Sequence, residues 1–264
     1  KSRNHRKMTE LFDTHCHIHF QDYPLPPQEV LGNARQAGVG RMLCVGTTIE
    51  DTKAAIEFAN RHDNVWASVG VHPHDAASFA ANPPAHQEFK KTLNKSSILA
   101  VGEIGLDYYK NYSPVELQKK SLKLQIEASI DTGLPFIFHI REAFDDFWKI
   151  YDSYPGLRGV VHSFSAGREE LDQIIKRGLY VGLNGIMTFT SDKQQLAAAK
   201  AVPLDKLMLE TNAPFLTQRP FRGQTCEPKH VRNIAEFLAE LRGDSLEDLA
   251  GTTTENAKTL FKIG

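Results

Sequence analysis

The sequence predicts an α/β protein of the TIM-barrel class, in which eight parallel strands alternate with helices. Three observations favour this fold. Short β-rich runs alternate with helical stretches, several of these runs are almost continuously apolar, and the chain of 264 residues has close to the roughly 250 residues usual for such a barrel. An open doubly wound sheet has the same alternation, but no Gly-rich phosphate loop follows the first strand, which favours the barrel.

Eight strands are expected, each followed by a helix or a long loop. The third reads Val-Trp-Ala-Ser-Val-Gly-Val and the fifth contains Leu-Pro-Phe-Ile-Phe-His, which is the composition of strands covered on both faces. The expected ranges are 10–13, 41–45, 65–71, 98–103, 135–139, 159–162, 180–183 and 206–210.

Helices are expected between the strands. Pro27 opens the first helix and Gly38 follows its end. Ser113 caps another helix, which has Pro114 at its first position and Glu116 in its first turn. The expected ranges are 27–37, 51–61, 113–133, 143–154, 169–177, 193–201, 228–241 and 254–261.

The composition is that of an ordinary globular protein, with 41% hydrophobic and 24% charged residues. The 31 Lys and Arg residues nearly balance the 32 Asp and Glu residues, which argues against broad coating of nucleic acid but allows a local phosphate pocket. No apolar run approaches the roughly 20 residues of a spanning helix, so we expect no membrane partner. Three widely spaced cysteines, Cys16, Cys44 and Cys226, favour a reducing compartment and hence a cytoplasmic protein.

One barrel domain over residues 8–264 is expected, since no linker, charge block or repeat divides the chain. Residues 1–7 are basic and polar with no apolar stretch behind them, so they do not resemble a secretory signal. Met8 looks like a natural start, and we interpret residues 1–7 as an appended remnant outside the fold. We expect the protein to be a monomer.

Metal-capable side chains follow the predicted strands. His15 and His17 are two residues apart, a spacing that directs both to one side of a strand. Any one such residue is more often a structural polar group than a ligand, but barrels keep their active sites at these strand ends, and five strands end this way. Nitrogen and carboxylate ligands without thiolates suit Zn²⁺, Mn²⁺ or Mg²⁺. Four histidines, one Glu and one further oxygen ligand could hold two divalent ions; the candidates are His15, His17, Glu103, His139 and His162, with the oxygen ligand at the strand end that carries Glu210 and Asn212.

Four motifs occur together in this order: FDTHCH at 12–17, GEIGLDY at 102–108, the His139 and Arg141 pair, and VHSFS at 161–165. In this combination the sequence resembles the TatD-family metal-dependent deoxyribonucleases, a branch of the amidohydrolase superfamily of TIM barrels. The likeness runs from about Thr9 to the C-terminus, with the motifs at the right separations.

The resemblance implies a metal-dependent hydrolase of phosphodiester bonds, a DNase that cuts DNA or a short oligonucleotide from its 3′ end. His15 and His17 would bind one metal ion, and Glu103 would bridge two ions. His139 and His162 would complete the second ion. The catalytic positions would be Glu103 and the position of Asn212.

Three further residues have an implied role and an ordinary alternative. His72 matches a family histidine that meets the substrate phosphate, but it could also cap a loop. Arg141 suits bidentate contact with a phosphate, or it could pair with Asp107 or Glu142. Glu210 is expected to hold a ligand imidazole in one tautomer rather than to bind metal; a charge just outside the barrel is the alternative.

Two tyrosines, Tyr108 and Tyr109, follow the Glu103 motif. Aromatic rings beside such a site can stack nucleic-acid bases of any sequence. Packing at the barrel rim is the more common role for such tyrosines, and we favour it here.

Asn212 departs from the family pattern Glu-Thr-Asp-x-Pro, in which the Asp binds a metal and helps to activate water. An amide oxygen binds metal weakly, and Asn cannot accept a proton from the attacking water, so we expect impaired activity. Three explanations stay open: an engineered substitution, a natural member with altered chemistry, and a natural non-catalytic relative. The other metal-site positions are intact, which favours a single or recent change over long decay.

Two other functions compete with the DNase. One is an amidohydrolase acting on an amide or ester bond, since the same metal site serves both chemistries. The other is a non-catalytic relative that binds nucleic acid or phosphate, which Asn212 would suit. The Glu-Ile-Gly-Leu-Asp motif in place of a strand-four lysine favours the phosphodiesterase over the amidohydrolase.

Overall fold

The barrel is present in the computed structural model, which describes residues 10–264. Its strands pair in parallel and in chain order, and the first and last meet where Thr14 Oγ1 donates to the Leu209 carbonyl at 2.9 Å. The predicted TIM barrel is confirmed, whereas the expected remnant at residues 1–7 and the start at Met8 lie outside the described residues. The strands are β1 (Leu11–Cys16), β2 (Val39–Cys44), β3 (Val65–Val69), β4 (Ile98–Asp107), β5 (Phe136–Arg141), β6 (Gly159–Val161), β7 (Tyr180–Leu183) and β8 (Leu207–Leu209).

Two strands extend well beyond their predicted ends. β1 continues past Asp13 to Cys16, so that His15 lies inside the strand. β4 continues past Glu103 to Asp107, where it pairs with Arg141 of β5. In both cases the prediction ended at polar side chains. Backbone pairing does not depend on side-chain polarity, and these polar residues are buried.

Helices cover the outside of the barrel. None of the helices within residues 10–264 is long and apolar enough to cross a membrane. The helices are α1 (Pro27–Gln36), α2 (Ile49–Ala59), α3 (Ala76–Ala80), α4 (Pro83–Thr92), α5 (Val115–Ser129), α6 (Phe144–Tyr151), α7 (Arg168–Lys176), α8 (Lys193–Ala201), α9 (Val231–Arg242) and α10 (Leu246–Phe261).

The prediction missed α3 and α4 and placed the start of α10 too late. Asn82 caps α4, since its side chain accepts from the Ala85 N–H, and this signal lies in a segment without a clear apolar period. α10 begins at Leu246 rather than at 254, after Ser245, whose hydroxyl accepts from the Asp248 N–H. The capping residues were therefore better signals of these helix starts than the apolar pattern.

The last helix ties together the two strands that close the barrel. Thr254 Oγ1 donates to the Glu10 carbonyl just before β1, at 2.9 Å. Asn256 Nδ2 donates to the carbonyls of Leu204 and Leu207 at the start of β8, both at 2.8 Å. Because these side chains satisfy buried backbone carbonyls on both strands, α10 supports closure from the N-terminal side of the barrel.

The aromatic packing around β5 gives a stability prediction. Phe138 is fully buried, and its ring centroid lies 5.4 Å from that of Phe136 and 5.0 Å from that of Phe147. Phe138→Ala should lower the free energy of unfolding by about 3–5 kcal/mol, since it removes apolar contacts and leaves a cavity. Denaturant unfolding would measure this. Phe144→Ala, at a half-buried ring, is the control, and an equal loss there would contradict the packing argument.

Candidate metal centre

Glu103 lies in the middle of β4 between two glycines that the local backbone requires. Gly102 and Gly105 have φ of 156° and 155°, a conformation that side chains rarely adopt. A Cβ at Gly102 would lie 2.6 Å from the Ile137 Cβ, and one at Gly105 would overlap the His139 carbonyl. The Gly-Glu-Ile-Gly motif therefore lets β5 approach β4 closely, which brings the Glu103 carboxylate and His139 together.

One group of ligand atoms joins β1, β4 and the end of β6. His15 Nε2 lies 3.5 Å and His162 Nε2 lies 2.9 Å from Oε2 of Glu103. The two imidazoles stack with their centroids 3.9 Å apart. One ligand atom from each of the three residues lies within 4.8 Å of the others, close enough for all three to share one metal ion.

A second group shares the same carboxylate. His72, in the segment after β3, places Nε2 3.3 Å from Oε1 of Glu103, and His139 Nδ1 lies 3.7 Å from Oε2. The two rings also approach each other, with His72 Nε2 3.4 Å from His139 Nδ1. Glu103 thus has histidines on two sides, an arrangement that suits a carboxylate bridging two ions.

The bonding state of these atoms fits metal ligation. Within residues 10–264, neither ring nitrogen of buried His15 has a hydrogen-bond partner. Oε2 of Glu103 also has none in this part of the chain, because the close His162 nitrogen does not approach in hydrogen-bond geometry. Buried polar atoms are nearly always bonded, so His15 Nε2 and Glu103 Oε2, which lie 3.5 Å apart, are atoms that a divalent cation would use.

Burial and neighbouring charges set the protonation of the candidate ligands. Burial alone would raise the pKa of Glu103, but the surrounding imidazoles, above all that of His162, hold that pKa well below its usual range, so the carboxylate is ionised. Burial lowers the pKa of His15 and of His72 well below the ordinary value, which leaves neutral rings with free lone pairs. At His162 the carboxylates of Glu103 and Glu210 outweigh burial and raise the pKa to about 10, so this imidazole is protonated until a metal ion displaces its proton.

His17 lies beside these groups without belonging to either. Its ring centroid is 5.0 Å from that of His15, and its Nδ1 lies 2.8 Å from the Val45 carbonyl. This contact requires the proton on Nδ1 and leaves Nε2 as the ligand atom. Behind it, His19 Nε2 lies 3.0 Å from the Asp51 carboxylate. His17 is therefore oriented for ligation, although the predicted pairing of His15 with His17 stays a prediction.

Asn212 lines the same cleft after β8. Its N–H donates to the His15 carbonyl at 2.8 Å, and its φ of 62° is a left-handed conformation that Asn and Asp tolerate. The next residue, Ala213, accepts from the His17 N–H at 2.7 Å. The backbone of this loop thus holds position 212 beside His15 of β1 and His17 just after it, and no other residue in 10–264 hydrogen-bonds to the Asn212 side chain.

The cleft over these residues has a volume of about 510 Å³. Histidines from both groups, Glu103 and Asn212 form part of its lining, so these ligand candidates open onto one space, whereas His15 is fully buried beneath it. The remaining lining residues include Phe20, Thr47, Arg141, Ser163, Ser165, Ile186, Phe215 and Leu216.

Comparison with known proteins identifies the family. A family model described as TatD related DNase matches residues 12–262. The chain belongs to the TatD-related DNase family. The uncharacterized metal-dependent hydrolase YabD of Bacillus subtilis (strain 168) is 35% identical over 96% of this chain and 99% of its own. The 3′-5′ ssDNA/RNA exonuclease TatD of Salmonella typhimurium is 29% identical over 96% of this chain and 99% of its own.

A solved structure agrees with this assignment. The crystal structure of YjjV, a TatD homologue from Escherichia coli K12, superposes with a TM-score of 0.88 and 27% identity, covering 97% of this chain and 100% of that one. The sequence predictions of a TatD-family protein, a TIM barrel and a metal-dependent hydrolase are therefore confirmed.

The carboxylate predicted to support an imidazole lies where that role requires. Oε1 of Glu210 is 3.3 Å from His162 Nδ1, on the side of the ring away from Glu103. The same oxygen accepts from the Ser163 N–H at 2.6 Å and from Asn184 Nδ2 at 3.1 Å. Glu210 is thus fixed by two donors while it faces the imidazole of this TatD-family centre.

The sequence analysis did not predict a second supporting carboxylate, which faces His139 as Glu210 faces His162. Asp107 is buried, and its Oδ2 lies 3.3 Å from His139 Nε2 and 2.9 Å from His74 Nε2. Asp107 thus contacts these two histidines rather than Arg141. The guanidinium of Arg141 lies 3.8 Å from the ring centroid of Tyr109. The available signal was the position of Asp107 four residues after Glu103, since alternate strand residues share a face.

Metal binding should stabilise the fold. Mn²⁺ at about 100 times its Kd should add about 2.7 kcal/mol, which corresponds to a rise of roughly 5–10 °C in the unfolding temperature. Thermal unfolding with Mn²⁺ and with EDTA would measure this, and elemental analysis would count the ions. Glu103→Gln should lose most of the rise, so an equal rise in the variant would contradict the shared carboxylate ligand.

The role of Glu210 can be tested through metal affinity. Glu210→Gln keeps the shape but removes the charge that faces His162, so metal affinity should fall about 10–100-fold. Calorimetric titration with Mn²⁺ would measure it. Glu116→Gln, an exposed change in the first turn of α5, removes the same charge outside the site and should leave affinity unchanged. If both variants bind like the parent, Glu210 does not support the centre.

Proposed function

We propose that this TatD-family hydrolase is a nuclease that cleaves phosphodiester bonds of single-stranded DNA or short oligonucleotides from the 3′ end. The observation that carries the proposal is the Glu103 carboxylate shared by two histidine groups at the floor of one cleft. The Salmonella typhimurium relative, named a 3′-5′ ssDNA/RNA exonuclease, supports the substrate class. We expect a monomer and a cytoplasmic location, the latter because the three buried cysteines are unpaired.

Two divalent ions, Mg²⁺, Mn²⁺ or Zn²⁺, would occupy the centre. His15, His17 and Asn212 would hold one ion, and Glu103 would bridge to the other. His139 and His162, whose Nδ1 and Nε2 lie 3.4 Å apart, would complete the second, although His162 also lies within ligand range of His15. Bound there, such ions lower the pKa of water and neutralise charge on the phosphoryl oxygens.

The chain's own residues would orient these ligands and the substrate. Asp107 hydrogen-bonds to one nitrogen of His139, and the charge of Glu210 faces one nitrogen of His162 at 3.3 Å, so each carboxylate would favour the tautomer with a proton on that nitrogen. Arg141 is exposed at the cleft with its fork of donors available, which suits a phosphate oxygen pair. His72, whose Nε2 lies 3.3 Å from Glu103, is placed either to contact the phosphate or to add a ligand.

Asn212 is expected to weaken both metal binding and water activation at this centre. Its amide oxygen is uncharged, so it binds a cation less strongly than a carboxylate does. It also cannot accept a proton from attacking water. The proposal therefore includes a low rate for this chain, with binding better preserved than turnover.

Asn212→Asp should raise the rate of cleavage by about 10²–10⁴-fold, since a general base contributes that much. The assay is release of nucleotides from a 3′-labelled single-stranded oligonucleotide with Mg²⁺, Mn²⁺ or Zn²⁺. Asn60→Asp, which adds the same charge at the exposed end of α2, should leave the rate unchanged.

The other outcomes of this assay separate the competing functions. If both residue-212 forms bind the oligonucleotide without cleaving it, the chain is a binding protein. If only cyclic amides or carboxylic esters are hydrolysed, it is an amidohydrolase in the broader superfamily. A 5′-labelled strand and a strand with a blocked 3′ end would test polarity, and cleavage that ignores the block would contradict action from the 3′ end.

A further inference from the structure

Large exposed aromatic side chains surround the mouth of the cleft. Within residues 10–264, the large hydrophobic side chains that are exposed are Tyr109, Tyr112 and Phe215, at 54%, 67% and 52% of their surface. Phe215 lines the cleft directly. Tyr109 and Tyr112 each contact a lining residue, Arg141 and His74. Scattered exposed rings need no explanation, but three around one opening indicate a binding surface.

These rings lie on opposite sides of the candidate metal centre. Tyr109 and Tyr112 follow β4, and Phe215 follows β8. The sheet order runs from β1 to β8 and closes, so β4 and β8 face each other across the barrel. The ring contacts agree, since Tyr112 lies 4.7 Å from His74 on one side and Phe215 lies 6.3 Å from His17 on the other.

On both sides of the cleft a neighbouring side chain holds the aromatic ring in place, while about half of the ring stays exposed to solvent. The Arg141 guanidinium lies 3.8 Å from the Tyr109 centroid, and Lys110 Nζ lies 5.7 Å from it. Phe215 packs at 6.4 Å from Phe20, which itself stacks on His17. Anchored rings lose little conformational freedom when a ligand stacks on them, and the two cations add positive charge on the β4 side.

The neighbouring Tyr108 is different. Its hydroxyl donates to the Asp146 carboxylate at 3.0 Å, and its ring is half-buried against the core. Of the two tyrosines after the Glu103 motif, Tyr108 therefore packs at the rim, whereas Tyr109 is open to a ligand.

We propose that the two sides form a stacking clamp for single-stranded nucleic acid. Bases on either side of the phosphate at the metal centre would stack on Tyr112 and Tyr109 and on Phe215. This inference rests on the proposed function, whose substrate it refines. Every base has a π-face, so the clamp tolerates sequence, but bases inside a duplex are already stacked and cannot engage it. The clamp thus selects single strands through the bases, while the metal centre recognises the phosphate.

The test compares ring variants on strands with and without bases. The probe is a fluorescent eight-nucleotide oligo(dT) with uncleavable phosphorothioate linkages, matched by an abasic strand of the same length. Tyr112→Ala and Phe215→Ala should each weaken binding of oligo(dT) roughly 5- to 150-fold in fluorescence anisotropy. Binding of the abasic strand should be weaker in the parent and unchanged by either substitution, because no base is left to stack.

Variants at one position separate stacking from apolar contact. Phe215→Tyr should keep the parent affinity, whereas Phe215→Leu should bind as weakly as the Ala form, since it lacks a π-face. Tyr154→Ala, in the turn three residues after α6 and away from the cleft lining, is the control and should change nothing. Equal losses on oligo(dT) and the abasic strand, or parent-like binding by Phe215→Leu, would overturn the clamp.

Cleavage by the Asn212→Asp form distinguishes this inference from the proposed function. If that form does not cleave, but binding depends on the rings, then the proposed nuclease is wrong and the clamp stands as a binding surface. If it cleaves, but ring substitutions leave oligo(dT) affinity unchanged, then the nuclease stands and the clamp is wrong. Duplex affinity should be insensitive to both ring substitutions, and a matching loss on duplex would also count against base stacking.

Discussion

The carboxylate of Glu103 is buried, and imidazoles carried by separate parts of the barrel surround it. They are His15 in β1, His72 after β3, His139 in β5 and His162 after β6. A buried charge is costly unless it is compensated, so this carboxylate requires its neighbours to stay close. The glycines on either side of Glu103 make that possible, because they let β5 pack where a Cβ would collide. This close packing of β5 against β4 brings the two ligand groups together at the cleft.

The same arrangement links the metal centre to barrel closure. Asp13 in β1 accepts hydrogen bonds from the Thr211 N–H at 2.9 Å and from its hydroxyl, just before Asn212. Burial raises the pKa of Asp13 to about 8, although the hydrogen bonds from Thr211 oppose this shift. Both β1 and the segment after β8 contribute lining or ligand residues, so a displacement between them would move His15 relative to Asn212. The contacts that close the barrel between β1 and the segment after β8 therefore also position His15 and Asn212.

Hydrophobic runs predicted the eight strands, because a sheet covered on both faces leaves an apolar pattern that is visible in sequence. The pattern ended at Asp13 and Glu103, where buried polar residues continue the strands. The candidate ligands were predicted one by one from strand ends, but their grouping depends on side-chain directions that spacing alone does not encode. For the same reason His72 was expected to contact a phosphate or to cap a loop, as it does by accepting from the His74 N–H, but its place beside Glu103 was not expected. A single Phe such as Phe215 reads as core, and only the structure places it at the rim.

Residue 212 keeps its position through its backbone. The N–H bond to His15 and the left-handed φ are equally available to Asn and Asp. Exchanging one for the other therefore leaves the loop undisturbed, and in the genetic code it takes a single base. Folding and chemistry are separable at this position, so a gene of this kind can lose or regain a proton acceptor in one mutational step, without passing through an unstable protein.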